Sequence, residues 1–336
     1  MHSRIESRTG ALDAVIETVQ KLCGEKVLAA KPCGIGGNNR VYRIKTAGAA
    51  FAAKFYGTME VDRRDRLAHE FEGLRFLKSS ESRVPVPAAI AVDRTARCAL
   101  YEWIDGQVAS DHGVADIAAV IDLLTGLHKV RHFTDASNLP PATEAVFRLS
   151  QLQSQIERRL ERLEAIAAAD AELARFLTQQ LRPEFDRRLS LVSVSAAQDT
   201  LDTERRTLSP SDFGFHNALR QADGSLVFID FEYFGWDDPV KATADFLLHP
   251  ATALTPAEKE GFMQGAASLY GSDPSFSERL KALYPLYAVR WSLIILNEFV
   301  PELWKRRTFS GKGEDWTGAK LEQLRKARLM LETTRS

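Results

Sequence analysis

The chain has 336 residues, 45% of them hydrophobic and 26% charged, with 44 Lys+Arg against 45 Asp+Glu and a formal net charge of -1. This is an ordinary globular composition, long enough for two units of about 100–200 residues with real cores. Charge balance excludes the overall basic footprint of sequence-independent nucleic-acid binding, so no nucleic-acid partner is expected.

The most apolar tract near the C-terminus, Trp291–Leu296, contains Ser292 and is flanked by Arg290 and Asn297. It falls far short of the roughly 18–20 apolar residues that span a bilayer, so no membrane partner is expected either. The opening MHSRIESRTG lacks the apolar core of a signal peptide. Cys23, Cys33 and Cys98 have neither CxxC spacing nor a nearby histidine. A cytoplasmic protein with structural thiols is the expectation.

Along the chain, Leu12, Val15, Ile16, Val19 and Leu22 recur at helical spacing and predict an amphipathic helix over Ala11–Cys23. A glycine-rich loop, Gly34–Asn39, precedes a predicted strand at Val41–Ile44, a turn, and a second strand at Phe51–Tyr56. Leu67, Phe71, Leu74 and Leu77 then form one stripe of a helix over Asp62–Lys78, ended by Pro85 and Pro87. Two more short strands are predicted at Ile90–Asp93 and Cys98–Ile104. The first 104 residues thus read as α+β.

Beyond Gly106 the pattern is mostly helical, with Val114–Val130 apolar at 3–4 spacing and Thr143–Leu191 broken chiefly at Pro183. In the second stretch Leu149, Leu152, Ile156, Leu160 and Leu163 form a stripe. The run Glu157, Arg158, Arg159, Glu161 and Arg162 around it is expected to be a solvated face. A polar connector, Ser193–Thr207, precedes the densest set of chemical groups.

That set runs Ser209-Pro210-Ser211-Asp212-Phe213-Gly214-Phe215-His216-Asn217, then an apolar strand reaching Ile229-Asp230-Phe231-Glu232. Phosphoryl transfer from a nucleotide needs one carboxylate to orient or deprotonate the attacking hydroxyl, and an amide plus a carboxylate to hold Mg²⁺. Asp212 fits the first role; Asn217 and Asp230 fit the second. Upstream, Lys54 lies between Ala53 and Phe55, where an ammonium is costly unless something negative meets it. Glu70 on the next helix is the natural partner. The glycine loop is neither a dinucleotide fingerprint, since Asn39 stands where the third glycine should fall, nor a P-loop.

With these residues the chain resembles the aminoglycoside phosphotransferase and choline kinase family, small-molecule kinases with a protein-kinase-like two-lobe fold. The resemblance rests on Asp212 through Asn217, on Ile229-Asp230, on Gly235-Trp236-Asp237-Asp238-Pro239, on Glu70-x-x-x-Leu74-x-x-Leu77 and on Val84-Pro85-Val86-Pro87. It implies a lobe over residues 1–104 that covers ATP and a mainly helical lobe over 105–336 that carries the catalytic loop and acceptor site. It further implies Asp212 as catalytic base, Lys54 with Glu70 on the phosphates, and Asn217 and Asp230 on Mg²⁺. Gly36, Gly37 and Asn38 would cover the nucleotide, with Glu102, Trp103 and Ile104 as the hinge and Leu219 in the nucleotide site. One departure stands out: Pro210 replaces the family's usual histidine, with His216 as a substitute brace. A catalytically silent nucleotide-binding pseudokinase is therefore the alternative.

The acceptor implied is a small-molecule hydroxyl on a sugar, amino alcohol or aminoglycoside-like compound. Asp237, Asp238 and Asp245, with Trp291, Glu298, Glu302 and Trp304, offer a way to receive a cation. The reading preferred here is that Trp291 belongs to a helix core and that Asp238 and Asp245 brace the catalytic loop. His249 is expected to be a satisfied core or capping residue rather than a catalyst.

Overall fold

An antiparallel sheet builds the first layer. The computed structural model describes residues 2–33, 39–57, 65–80, 83–192, 200–304 and 315–334. Helix α1 (His2–Cys23) leads into β1 (Ala29–Pro32), β2 (Asn39–Lys45), β3 (Ala50–Tyr56), α2 (Arg66–Ser79), β4 (Ala89–Asp93) and β5 (Cys98–Glu102). The strands form one antiparallel sheet in the order β1-β2-β3-β5-β4. Lys54 lies on the central strand, in register with Val41 on one side and Ala99 on the other.

The two-residue period of a strand sorts β3 onto two faces. Phe51 and Ala53 join Val15, Val19, Val27, Ile44 and Leu100 in a cluster beneath α1. Lys54 and Tyr56 point to the other face, toward α2. Asp65 caps α2 by accepting from the Ala68 amide, and the stripe Leu67, Phe71, Leu74 and Leu77 is buried as its spacing predicts. Burial of each such side chain stabilises by about 1.5–3 kcal/mol. Glu70 lies in the same stripe and is buried with it. This face of α2 belongs to the core that continues through the C-terminal helices, so the first sheet is fastened to the rest of the molecule through α2.

The remaining chain supplies β6 (Gln107–Val108), α3 (Val114–Val130), α4 (Leu149–Ala167), α5 (Ala171–Phe176), α6 (Arg182–Ser190), β7 (Thr207–Ser209), β8 (Ala218–Arg220) and β9 (Leu226–Phe228). It continues with β10 (Gly235–Asp237), α7 (Pro239–Leu248), α8 (Pro256–Leu269), α9 (Phe276–Ile295) and a last helix, Trp316–Glu332. Strands β6, β8 and β9 form a small antiparallel sheet and β7 pairs with β10. The α+β class expected from the sequence is the one observed. No helix among the described residues is long and apolar enough to cross a membrane.

Pro183 does not break the helical stretch as expected. The break falls at residues 168–170, where Asp170 caps α5 by accepting from the Leu173 amide. Between α5 and α6 the backbone widens into a π turn, Leu177–Leu181, and the Arg182 amide returns to the Leu177 carbonyl. A widened turn makes room for the proline ring, which then occupies the first turn of α6, where its missing N–H costs little.

Gly235 is fixed by close packing. A Cβ there would collide with the Pro140 carbonyl and stand 2.6 Å from the Ala142 amide nitrogen, both backbone atoms. Gly235→Ala is expected to cost about 1–3 kcal/mol, seen as a lower urea midpoint; an unchanged midpoint would contradict this packing.

Candidate active site

The catalytic loop is built by alternation. Phe213 and Phe215 are buried and pack on Phe246 of α7, at ring-centroid separations of 5.6 and 6.0 Å. Asp212 and His216 are left half-buried, Asp212 at the surface of a cleft. Ser211 adopts a left-handed conformation (φ 66°), as does Asp230 (φ 69°) beyond β9. Such non-glycine conformations persist where surrounding structure enforces them, and they gather at functional sites.

Two imidazoles converge on Asp212. His216 Nε2 lies 3.2 Å and His249 Nε2 3.3 Å from its Oδ1, and the two rings stack at 4.2 Å and 4°. Burial pushes the Asp212 carboxyl up, but the hydrogen bonds from His216 and His249 outweigh it and hold it well below the ordinary carboxylate range. Asp212 is therefore ionised and oriented. His216, proposed from its position as a brace, makes this contact from within the same loop. His249, expected to be a core or capping residue, instead faces the same oxygen and lines the cleft; nothing in the local sequence shows that the end of α7 meets the catalytic loop.

The position next to Pro210 is braced from below. Lys241 is fully buried on α7 and reaches Asp237 at 2.7 Å, Asp245 at 2.9 Å and the Ser211 hydroxyl at 3.0 Å. All three ammonium protons thus have acceptors. Asp237, Lys241 and Asp245 recur at i, i+4 and i+8, one face of a helix and its N-terminal approach.

The second half of the site meets Lys54. Its Nζ is 2.6 Å from Glu70, 2.5 Å from Asp230 and 3.7 Å from Glu232. Burial opposes the charge on Lys54, yet the three carboxylates outweigh it and raise its pKa well above the ordinary lysine value. Burial, together with Asp230 and Glu232, pushes the Glu70 carboxyl up against the pull of Lys54. Tyr56 donates to Glu70 at 2.7 Å, and the Phe231 amide donates to it at 3.3 Å. Through these bonds α2 holds the backbone beside Asp230. Glu232 was not among the expected site residues; it accepts from Arg66 at 2.8 Å and from the side-chain Nδ2 of Asn39, and its signal was the second acid two residues after Asp230.

Asn217 donates through Nδ2 to the Asp212 carbonyl at 3.1 Å, which leaves its side-chain oxygen as the available ligand. The Ile229 amide donates to the Asn217 carbonyl, tying this residue to the segment carrying Asp230. Ligand oxygens of Glu70, Asp230 and Glu232 lie within 4.8 Å of one another. A set of amide and carboxylate oxygens suits a hard cation such as Mg²⁺.

Leu219 on β8 lies beside Gly106, just past the expected hinge; a Cβ on that glycine would be 3.2 Å from the Leu219 Cβ. Glu102 ends β5 and accepts from the Ala88 amide, while Trp103 donates to Asp105 and lies under the Arg43 guanidinium at 4.7 Å. Ile104 follows, half-buried. Gly36, Gly37 and Asn38 lie outside the described residues.

Four of the five carboxylates considered for a cationic acceptor, Asp237, Asp238, Asp245 and Glu298, are otherwise engaged. Asp238 is buried, caps α7 and pairs with Arg279; Asp237 is buried on Lys241. Neither is left to receive a cationic acceptor. Glu298 is buried and accepts from Gln323, while Trp304 stacks on Trp316. Trp291 donates to Asp245 at 2.8 Å, as a core residue bracing that acid.

Double replacement His216→Ala/His249→Ala removes two hydrogen bonds to a charged group, each worth about 1.5–3 kcal/mol. A fall in kcat of about tenfold or more is expected, with ADP affinity unchanged; equal loss of ADP binding would show a general collapse of the site instead.

Comparison with known proteins bears on the family and the fold. The family model described as phosphotransferase enzyme family matches residues 29–276. No curated protein sequence matches. Among solved structures, spectinomycin phosphotransferase APH(9)-Ia in complex with ADP and spectinomycin aligns at a TM-score of 0.62 with 13% identity, covering 96% of this chain and 94% of that one. Choline kinase LicA from Streptococcus pneumoniae aligns at 0.61 with 20% identity, covering 96% and 99%. An ethanolamine kinase from Plasmodium vivax aligns at 0.56 with 15% identity, covering 94% and 84%. These alignments establish the protein-kinase-like fold. With the family model spanning most of its length, the chain belongs to the phosphotransferase enzyme family.

Proposed function

We propose that the protein is an ATP- and Mg²⁺-dependent kinase that phosphorylates a hydroxyl of a small metabolite in the cytoplasm. The observation that carries this reading is the convergence of Lys54, Glu70 and Asp230 from three separate elements, on the sheet face opposite α1, while Asp212 faces an open cleft. Residues 1–104 are assigned to covering the nucleotide and 105–336 to catalysis and acceptor binding.

In this mechanism Lys54, held by Glu70, neutralises the α- and β-phosphates. The chain running through Gly36, Gly37 and Asn38 covers the nucleotide, with Glu102, Trp103, Ile104 and Leu219 around the base. Asp212, already ionised, accepts a hydrogen bond from the acceptor hydroxyl and so aims its oxygen at the γ-phosphorus. As the new P–O bond forms, the bond to the β–γ bridging oxygen breaks, the hydroxyl proton passes to Asp212, and ADP leaves. Mg²⁺ held by Asn217 and Asp230 would supply positive charge to the phosphate oxygens.

The pseudokinase alternative is separated by experiment. Purified protein should bind ADP with Mg²⁺ and form a phosphorylated product from ATP with an acceptor. Lys54→Met should weaken nucleotide binding by about tenfold or more, since a charge-assisted contact to phosphate is worth at least 1.4 kcal/mol. Nucleotide binding without product from a broad acceptor panel would favour the silent alternative.

A further inference from the structure

The cleft in front of Asp212 has a volume of about 480 Å³, the size of a small-molecule site. Its walls carry four arginines, Arg66, Arg159, Arg162 and Arg290, against three carboxylates, Glu144, Asp212 and Asp245. Two of those carboxylates are consumed by the walls themselves. Asp245 is shared by Lys241, Arg290 and Trp291. Glu144 pairs with Arg159 and, at 3.2 Å, with Arg290. Burial pushes Glu144 up, but these guanidinium groups hold it down at about 2. Asp212 is the group that the reaction uses.

Arg159 and Arg162 stand one turn apart on α4 and line this cleft; the charge run is solvated as expected at Arg158, Glu161 and Arg162, while Arg159 is half-buried. A guanidinium offers five N–H donors. Arg159 spends one arm on Glu144. Arg162 spends one on the Asn297 side-chain oxygen at 2.5 Å, and among the described residues no carboxylate pairs with it within 4.0 Å. Glu144 and Glu302 are the acids whose charge reaches it. Two planar forks with unused donors, next to Arg290, whose three nitrogens each have a partner, complement a planar or tetrahedral oxyanion. An ammonium in the same place would meet like charge.

We propose that the acceptor carries an oxyanion, a carboxylate or a phosphate, which docks on Arg159 and Arg162 while its hydroxyl is presented to Asp212. The inference rests on the phosphotransferase reading above and narrows it, turning the substrate class away from cationic amines.

The test is calorimetric titration of the full chain saturated with ADP and Mg²⁺, so that the phosphate sites are filled, using gluconate, glucose 6-phosphate, glucose and glucosamine. Gluconate and glucose 6-phosphate separate the carboxylate from the phosphate source. At least one should bind about tenfold or more tighter than glucose, a difference one ionic contact supplies, with glucosamine weakest. Arg162→Glu, an exposed substitution, should abolish that preference, and Arg162→Lys should keep part of it. Glucosamine or glucose binding as tightly as both anions, absence of saturable binding of either anion, or anion binding unchanged in Arg162→Glu overturns the proposal. The two readings fail separately. Arg162-dependent anion binding by a chain that does not bind ADP would sink the kinase and keep the anion site. ATP-dependent phosphorylation of an amine with both anions rejected would do the reverse.

Discussion

Asp212→Asn is expected to lower kcat by about two orders of magnitude or more, the contribution of a positioned general base, while ADP binding and folding stay as in the parent protein. The amide keeps the shape of the carboxylate and an oxygen that both His216 and His249 can reach, so the loop between Phe213 and Phe215 has no reason to move. What disappears is the negative charge that orients the acceptor hydroxyl and takes its proton. KM for the acceptor should change less than kcat, because the lost interaction strengthens as the hydroxyl proton transfers. Single-turnover measurement with ATP and a responsive acceptor reads the chemical step directly. Activity within a few-fold of the parent would remove Asp212 from the reaction.

The residues that carry this expectation were legible because their chemistry is local. An acid five residues before an amide, followed by an apolar strand and a second acid, has few uses, and a lysine inside an apolar strand demands a partner. Central placement of Lys54 between β2 and β5 turns that demand into geometry. Other groups depend on which way packing turns an element. Arg159 and Arg162 on α4 line the cleft, while their neighbours Arg158 and Glu161 do not. That difference of about one residue's rotation, 100°, is set by packing on α9, far away in sequence. His249 is similar: a histidine at the end of an apolar helix reads as a cap until α7 is seen to end beside Asp212. Pro183 misled for a different reason, since a π turn just before a proline leaves no mark in the apolar pattern.

Lys241 decides whether Pro210 is a defect, and its removal should be the most damaging change for stability. The side chain is fully buried, and each ammonium proton has an acceptor: Asp237, Asp245 and the Ser211 hydroxyl. Lys241→Met keeps most of the volume but leaves two carboxylates facing an apolar side chain. Breaking a buried pair on one side costs about 3–5 kcal/mol, so a large drop in urea midpoint is expected. The same change frees Ser211, whose left-handed backbone sets the direction of Asp212, and kcat should fall with stability. The pH dependence distinguishes an electrostatic cause from a packing one. Burial already pushes Asp237 up to about 6 against the pull of Lys241, and without that ammonium it must rise further. A carboxyl raised in the folded state binds its proton more tightly there than in the unfolded chain, so its contribution is present at low pH and lost as pH rises through the folded value. The deficit of Lys241→Met relative to the parent should therefore shrink as the pH is lowered from about 8 to about 5.5. A second substitution, Asp237→Asn in the Lys241→Met background, should recover part of the loss at the upper end of that range and little at the lower. A deficit that stays constant or widens on acidification would mean that shape, not charge, makes Lys241 necessary.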